Sequence, residues 1–315
     1  MTLTIGTRGS KLALAQAGIV QEGLERANPG LSCEIAVIRT SGDDFSAGQS
    51  VPGQRAGTEE EAALKGLFVK EIEEQLLSGK IDLAVHSAKD LETDLPEGLV
   101  LGAVLKREDP RDALVAREGR GLKGLPAGAR VGVSSLRRLA QLKRFRRDLE
   151  YVPVRGNVDT RLKKLDDGEV DALVLAAAGL IRLGLSGRIS ERLELEQFLP
   201  APAQAAVAVE IRADNAVAAK IVGAVDHAGS RAEVEAERAL LKALGGSCRV
   251  PVGALARADG ESLTVEAVVL SPDGLKSVRK SVAGPRSAAR RLGTELASHL
   301  RAVGADRLLY GQWKK

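Results

Sequence analysis

The apolar positions of this chain fall into short runs separated by stretches at helical period, a rhythm that predicts α/β organisation. Leu3–Ile5 reads as a short strand, Gly6 to Ser10 as a turn, and Lys11 to Arg26 as a helix. Ile35–Ile38 is a second strand. Thr40 to Ala62 lacks periodicity and contains Gly42, Gly48, Pro52, Gly53 and Gly57, so residues 43–64 are expected to form a mobile surface loop. Leu67 to Leu77 predicts an amphipathic helix. Ile81–Val85 predicts a buried strand ending at His86-Ser87-Ala88-Lys89-Asp90.

A second set of elements follows Pro110. Arg130–Val133 is a strand, Leu136 to Arg147 a basic helix capped at Ser134-Ser135, and Tyr151–Val154 a strand. Val158 to Leu165 is a helix with Asn157 at its N-cap, and Val170–Leu175 is a buried strand. Leu199-Pro200-Ala201-Pro202-Ala203 interrupts the pattern before an apolar strand at Ala205–Ile211. The remainder predicts a smaller module: a helix over 231–244, strands at Leu263–Leu270 and Leu275–Val282 around Ser271-Pro272-Asp273-Gly274, and a helix from Arg286 to Val303.

The two larger sets echo each other. Gly79 to Leu91 aligns without a gap on Gly168 to Leu180: glycine, charge, β-branched residue, aspartate, apolar strand, small residues. Ile5-Gly6-Thr7-Arg8-Gly9-Ser10 resembles Val131-Gly132-Val133-Ser134-Ser135-Leu136 in the same way. Both predict a helix N-terminus at the carboxyl end of a strand, where ligands bind in open α/β sheets.

Composition narrows the partners. The 315 residues suffice for two or three domains, and 44% hydrophobic with 2% aromatic content describes an aliphatic core. Lys+Arg (46) and Asp+Glu (42) nearly balance, and the few aromatics argue against a stacking platform for nucleic acid. Residues 1–10 lack the pattern of a signal peptide and no apolar run reaches a membrane span, so the expectation is a cytoplasmic protein without a membrane partner. Two distant cysteines make no disulfide framework. His86, His227 and His299 have no metal-ligand spacing, and no metal is expected.

Arginines carry the candidate chemistry. Arg137 and Arg138 lie in the first turn of their helix, where cations oppose the helix dipole unless an anion binds there. Arg8 occupies the matching turn of the first half; Arg155, Arg161 and Arg182 stand near other strand-to-helix junctions. Six such arginines predict a cradle for a polyanion, and the guanidinium fork suits carboxylates. Lys143, Arg144, Arg146 and Arg147 are expected at the solvated far end of their helix. Asp90 is the one acid at a strand end in this basic setting, where the other half has Gly179; it either caps the next segment or stabilises a developing cation and moves protons. Cys248 sits on a glycine-built turn, Gly245-Gly246-Ser247-Cys248-Arg249, and is either a small loop residue or an attachment point. Cys33 is expected in the core.

The chain resembles the porphobilinogen deaminases (hydroxymethylbilane synthases) of tetrapyrrole biosynthesis. The resemblance is carried by Gly6 to Gln16, Lys65 to Glu73, Ala84 to Asp90, Arg107-Glu108-Asp109-Pro110-Arg111-Asp112, Ser134 to Arg138, Arg155 to Leu162, Ala178 to Leu183 and the Cys248 run. It implies two similar periplasmic-binding-protein-like α/β domains plus a smaller C-terminal α/β domain carrying the cofactor cysteine. The expected bounds are 1–105 with 199–226, 106–198, and 227–315. It implies a monomer with one dipyrromethane per chain, thioether-linked to Cys248, on which four porphobilinogens are deaminated and condensed before hydrolytic release. Asp90 matches the acid/base. Cys248, Lys89, Ser87, Ser135, Arg137 and Arg138 match cofactor-binding positions; Arg8, Ser10, Gln16, Arg155, Arg161 and Arg182 match substrate-binding ones. No obligate protein partner is implied. Ala63-Leu64, Ala203 and Ala205, which stand where glycines are usual, and Val133, where a threonine is usual, depart from the family pattern. A two-lobed receptor for a small carboxylate would share the lobes and arginines but has no need of Cys248, Asp90 or the last module.

Overall fold

The computed structural model describes residues 1–40, 60–245 and 251–310, and over 60–68 the backbone alone. The loop expected over 43–64 therefore lies largely outside the described residues, as does Cys248. The chain forms two compact units, Met1–Glu108 with Ala205–Arg231, and Asp109–Gln204 with Ala232–Lys315.

The first stretch contributes β1 (Thr2–Thr7), α1 (Lys11–Ala27), β2 (Ser32–Val37), α2 (Glu60–Leu77), β3 (Leu83–Ser87) and β4 (Leu99–Val104). Next come β5 (Asp112–Ala116), β6 (Arg130–Val133), α3 (Leu136–Phe145), β7 (Glu150–Pro153), α4 (Val158–Asp166), β8 (Ala172–Ala176), α5 (Ala177–Arg182) and β9 (Glu191–Arg192). The chain returns through β10 (Val207–Arg212) and α6 (Ala216–Gly223), then continues into α7 (Ala228–Ala243). It ends in β11 (Val252–Asp259), β12 (Ser262–Leu270), β13 (Ser277–Pro285), α8 (Ala289–Ala302) and α9 (Ala305–Tyr310).

The expected internal echo is present in the sheets. The first unit has the order β2-β1-β3-β10-β4 and the second β7-β6-β8-β5-β9. In each, three neighbouring strands are parallel, and the fourth is antiparallel to both its neighbours. The conserved offset extends to turn chemistry. Gly79 and Gly168 both take a left-handed backbone, φ 73° and 78°, which a side chain would strain. Asp82 accepts from the Thr4 amide and Asp171 from the Arg130 amide, each at 2.8 Å. These aspartates bind the foot of one strand to its neighbour in both units.

Each sheet buries an aliphatic core. Leu3, Ile5, Val20, Leu24, Leu83, Val85 and Val209 pack between α1 and one face of the first sheet; Ile38, Ile72, Leu76 and Ala84 form the core against α2 on the other. Full burial of such a side chain contributes roughly 1.5–3 kcal/mol. The second sheet repeats this with two cores. A third core, from α7, β11–β13, α8 and α9, belongs to the three-stranded antiparallel module. The protein thus comprises three α/β modules.

Ala203 and Ala205 occupy the left-handed region at φ 60° and 74°. Side chains there cost roughly 1–2 kcal/mol, offset on replacement by roughly 0.4–1 kcal/mol of extra freedom in unfolded glycine. Ala203→Gly and Ala205→Gly should therefore each raise stability by about 0.5–1 kcal/mol in urea unfolding. A lowered midpoint would mean that the buried methyl contacts outweigh the strain.

Candidate functional site

In the first unit the carboxyl ends of β1 and β3 are side by side, with Gly6 opposite Ala84 in parallel register. β1 leads to Arg8 and to Ser10, whose hydroxyl accepts from the Ala13 amide at 3.3 Å and caps α1. β3 ends at Ser87 and passes into a single 3-10 turn, Ala88–Asp90, the Ala88 amide donating to the Ala206 carbonyl. Arg8, Ser10, Ser87, Lys89 and Asp90 are all half-buried at this edge. Gln16 is not available in the same way. It is buried, its amide nitrogen donates to the Ser87 hydroxyl at 2.9 Å, and that hydroxyl lies 3.1 Å from the Gln16 amide oxygen. It fixes Ser87 from the α1 side.

In the second unit the equivalent edge gathers the ends of β6, β7 and β8. Ser135 stands at the N-cap of α3 and Asn157 at that of α4, but neither side chain makes a capping bond. Arg161 donates to the Gly156 carbonyl and to the Ser134 hydroxyl, both at 2.6 Å, and so ties the turns after β6 and β7 together. Arg155 is exposed on the turn after β7, and Arg182 is half-buried at the end of α5.

Arg137 and Arg138 already face an anion inside the protein. They are 4% and 7% exposed, and the anion that answers them is a side chain, Asp112, at the first residue of β5. Arg137 Nη1 lies 2.6 Å from Asp112 Oδ2, and Arg138 Nε and Nη2 lie 3.0 and 2.8 Å from Oδ1. Burial would raise the Asp112 carboxyl, but the charges and hydrogen bonds of the two arginines hold it well below the usual carboxylate range. Buried Gln204 adds a donor to Asp112 Oδ1 at 2.9 Å, and Arg137 Nη1 also donates to the Leu199 carbonyl at 2.7 Å. The conflict with the helix dipole is thus met inside the protein. Arg146, expected in solvent, instead donates to the carbonyls of Leu122 and Leu125 and pairs with Asp148.

The sequence signal for Asp112 was a carboxylate opening the apolar run Ala113-Leu114-Val115, which burial forces to find a cation. One donor remains: Arg137 Nε is buried without an acceptor. A cationic fork fixed on one edge, with a donor left over, fits a group bearing carboxylates.

Residues 3–220 match the model of "Porphobilinogen deaminase, dipyromethane cofactor binding domain", and residues 231–302 that of "Porphobilinogen deaminase, C-terminal domain". The chain belongs to the porphobilinogen deaminase family. It is 50% identical to the porphobilinogen deaminase of Desulforudis audaxviator over 98% of this chain and 96% of that one. It is 48% identical to that of a Roseiflexus species over 98% and 99%. Among solved structures it is similar to the methionine binding protein MetQ, with TM-score 0.45 and 15% identity over 70% of this chain and 88% of that one. As a porphobilinogen deaminase the protein is a transferase of tetrapyrrole biosynthesis, with porphobilinogen as substrate and dipyrromethane as cofactor.

Cys33, the cysteine among the described residues, lies in β2 within the α1-side core, 4% exposed, as the sequence predicted. Burial, and then the Glu25 charge, pushes its thiol up, the reverse of what a nucleophilic sulfur needs. No helix among the described residues is long and apolar enough to cross a membrane.

Proposed function

We propose that Asp90 is the acid/base of the porphobilinogen deaminase reaction, and that the strand-end arginines bind the carboxylates of substrate and cofactor. The observation that carries this is a break in the internal symmetry. Where β8 runs into α5 and Gly179, β3 turns through Ala88–Asp90 and puts a carboxylate at the sheet edge, next to the strand that ends at Arg8. Dipyrromethane, when bound, supplies the primer to which substrate pyrroles are joined. Asp90 stabilises the cation that ammonia loss leaves on the substrate methylene, and takes up the proton released as the new carbon–carbon bond forms. Arg8, Ser10, Arg155, Arg161 and Arg182 hold substrate carboxylates, with Gln16 acting through Ser87. Lys89, Ser87, Ser135 and the Arg137–Arg138 pair hold the cofactor, the pair being oriented by Asp112. Four additions precede hydrolytic release.

The attachment point in this reading is Cys248, because Cys33 is sealed in a core with a disfavoured thiolate. The module bounds follow the expected 1–105 with 199–226, 106–198 and 227–315, with the crossings moved to the unit edges at Glu108, Ala205 and Ala232. In this reading the protein works in the cytoplasm, where reducing conditions keep the Cys248 thiol available for attachment. The intact mass of active protein should exceed that of the polypeptide by one dipyrrole unit. Peptide mapping should put the adduct on the Cys248 peptide, with Cys33 unmodified. Active protein of bare polypeptide mass, or an adduct on Cys33, would overturn the assignment.

A further inference from the structure

The face of the first sheet that packs on α2 buries three ionisable side chains together. Glu73 comes from α2, His86 from β3 and Glu210 from β10, and they are 8%, 5% and 0% exposed. Register puts Glu210 opposite Ala84, with His86 two residues further along β3 on the same face. His86 Nε2 lies 3.2 Å from Glu210 Oε2. No well-aligned hydrogen bond forms: Glu73 Oε1, His86 Nε2 and both Glu210 oxygens are buried without such a partner. The groups meet at contact distance inside the core without an aligned bond. Burial, and then the Glu210 charge, pushes Glu73 up to about 7, with His86 opposing and Glu92 adding to the rise.

The twin unit shows that the fold does not need these charges. The offset that carries β3 onto β8 carries His86 to Leu175 and Glu73 to Leu162. The antiparallel register carries Glu210 to Val115. All three counterparts are buried apolar residues, 4%, 5% and 1% exposed. An ionisable cluster therefore replaces ordinary core at one place, behind the strand that leads to Asp90, and is missing behind the strand that leads to Gly179.

We propose that Glu73, His86 and Glu210 form a buried positioning cluster that holds the end of β3, and with it the Lys89–Asp90 turn, in the arrangement ammonia loss requires. This rests on the reading of Asp90 as the acid/base. None of the three touches substrate. Gln16 grips Ser87 from the α1 face, and Glu210 grips the preceding residue, His86, from the α2 face, so the strand end is held from both sides. Glu73 keeps its proton up to about pH 7, because burial and then the neighbouring Glu210 disfavour its charged form. Loss of that proton adds a buried negative charge on Glu73, facing Glu210 on β10, His86 on β3 and Glu92 beyond it. The hold on the turn then weakens, and turnover falls on the alkaline side.

The test transplants the twin's residues: Glu73→Leu, His86→Leu and Glu210→Val together. Replacing a buried charged cluster by apolar residues of similar volume is often neutral or stabilising, so folding should survive. In holoenzyme carrying its covalent cofactor, kcat should fall about 10- to 100-fold with KM within about 2-fold, as expected of a displaced catalytic group. The alkaline limb of the kcat profile should disappear. Glu73→Gln alone should keep most activity at neutral pH and lose the same limb. A folded, cofactor-loaded triple variant with wild-type kcat and pH profile would overturn the proposal. If the triple variant does not fold, a wild-type profile in Glu73→Gln does so. Asp90→Asn, run alongside, separates the two readings. If it keeps full turnover, the reading of Asp90 fails; if it is inactive while the cluster variants match wild type, only the cluster proposal fails.

Discussion

Asp90→Asn should leave the protein folded and loaded with cofactor while lowering single-turnover addition of porphobilinogen by about 10²–10⁴-fold, the range of a positioned acid/base. Asparagine keeps the size of the side chain and part of its hydrogen bonding. It carries no charge to stabilise a cation and no transferable acid proton. Asp90→Glu should retain more activity than Asn, since it keeps the carboxylate and displaces it by one methylene. Asp82 is a control of a different kind. Its carboxylate binds the Thr4 amide, as Asp171 binds the Arg130 amide in the other unit, so Asp82→Asn should weaken the strand foot rather than the chemistry. Adduct formation on holoenzyme, followed by mass, separates chemistry from cofactor assembly. Turnover of the Asp90→Asn variant within a few-fold of wild type would reduce Asp90 to a cap on the 3-10 turn.

The second large effect concerns Asp112, which is 1% exposed and faces two buried guanidinium groups. Asp112→Asn preserves the shape but leaves both arginines without a counter-charge. Breaking a buried pair in this way should lower stability by about 3–5 kcal/mol in urea unfolding at neutral pH. The pH dependence has a definite sign. A carboxyl whose folded value is depressed adds stability above its unfolded value, near ~3.9, and that contribution is withdrawn as pH falls from there towards the folded value. The gap between wild type and Asp112→Asn should therefore be largest at neutral pH and narrow in acid below about 4. A gap that stayed constant on acidification would mean that the ionised form is not what stabilises the arginines. Cofactor loading of this variant is a further readout, because the Arg137–Arg138 fork loses the group that orients it.

Local patterning carried much of the architecture into the sequence. The offset between Gly79–Asp82 and Gly168–Asp171 was visible because a left-handed glycine and a strand-foot aspartate are short-range requirements, and both units meet them in the same way. The sequence suggested a long helix from Leu67 and allowed only a separate short helix at Glu59-Glu60-Glu61; α2 runs unbroken from Glu60, its early turns masked by the glycine-rich stretch before them. β4, β5, β9 and β11 were missed, as were the short helices α5 and α6. Asp112-Ala113-Leu114-Val115-Ala116 is short, and Val252 to Ala256 is buried at every position and so has no alternation to read.

The sequence by itself determined the repeated α/β pattern, the small last module, the family, and the strand-end positions of Arg8, Asp90, Ser135, Arg155 and Arg161. All but the family follow from periodicity and turn chemistry, which act over a few residues; the family rests on the resemblance of whole motifs. Tertiary structure alone decided the partners of the charged groups. Arg137 and Arg138 read as anion-seeking until β5 was seen to bring Asp112 beneath them. For His86 the sequence offered only a lack of metal-ligand spacing, whereas β10 sets Glu210 beside it and α2 adds Glu73. The physical reason is that a buried charge is satisfied by whatever the fold brings within a few ångströms, and antiparallel strands closed late in the chain bring residues that no local pattern connects.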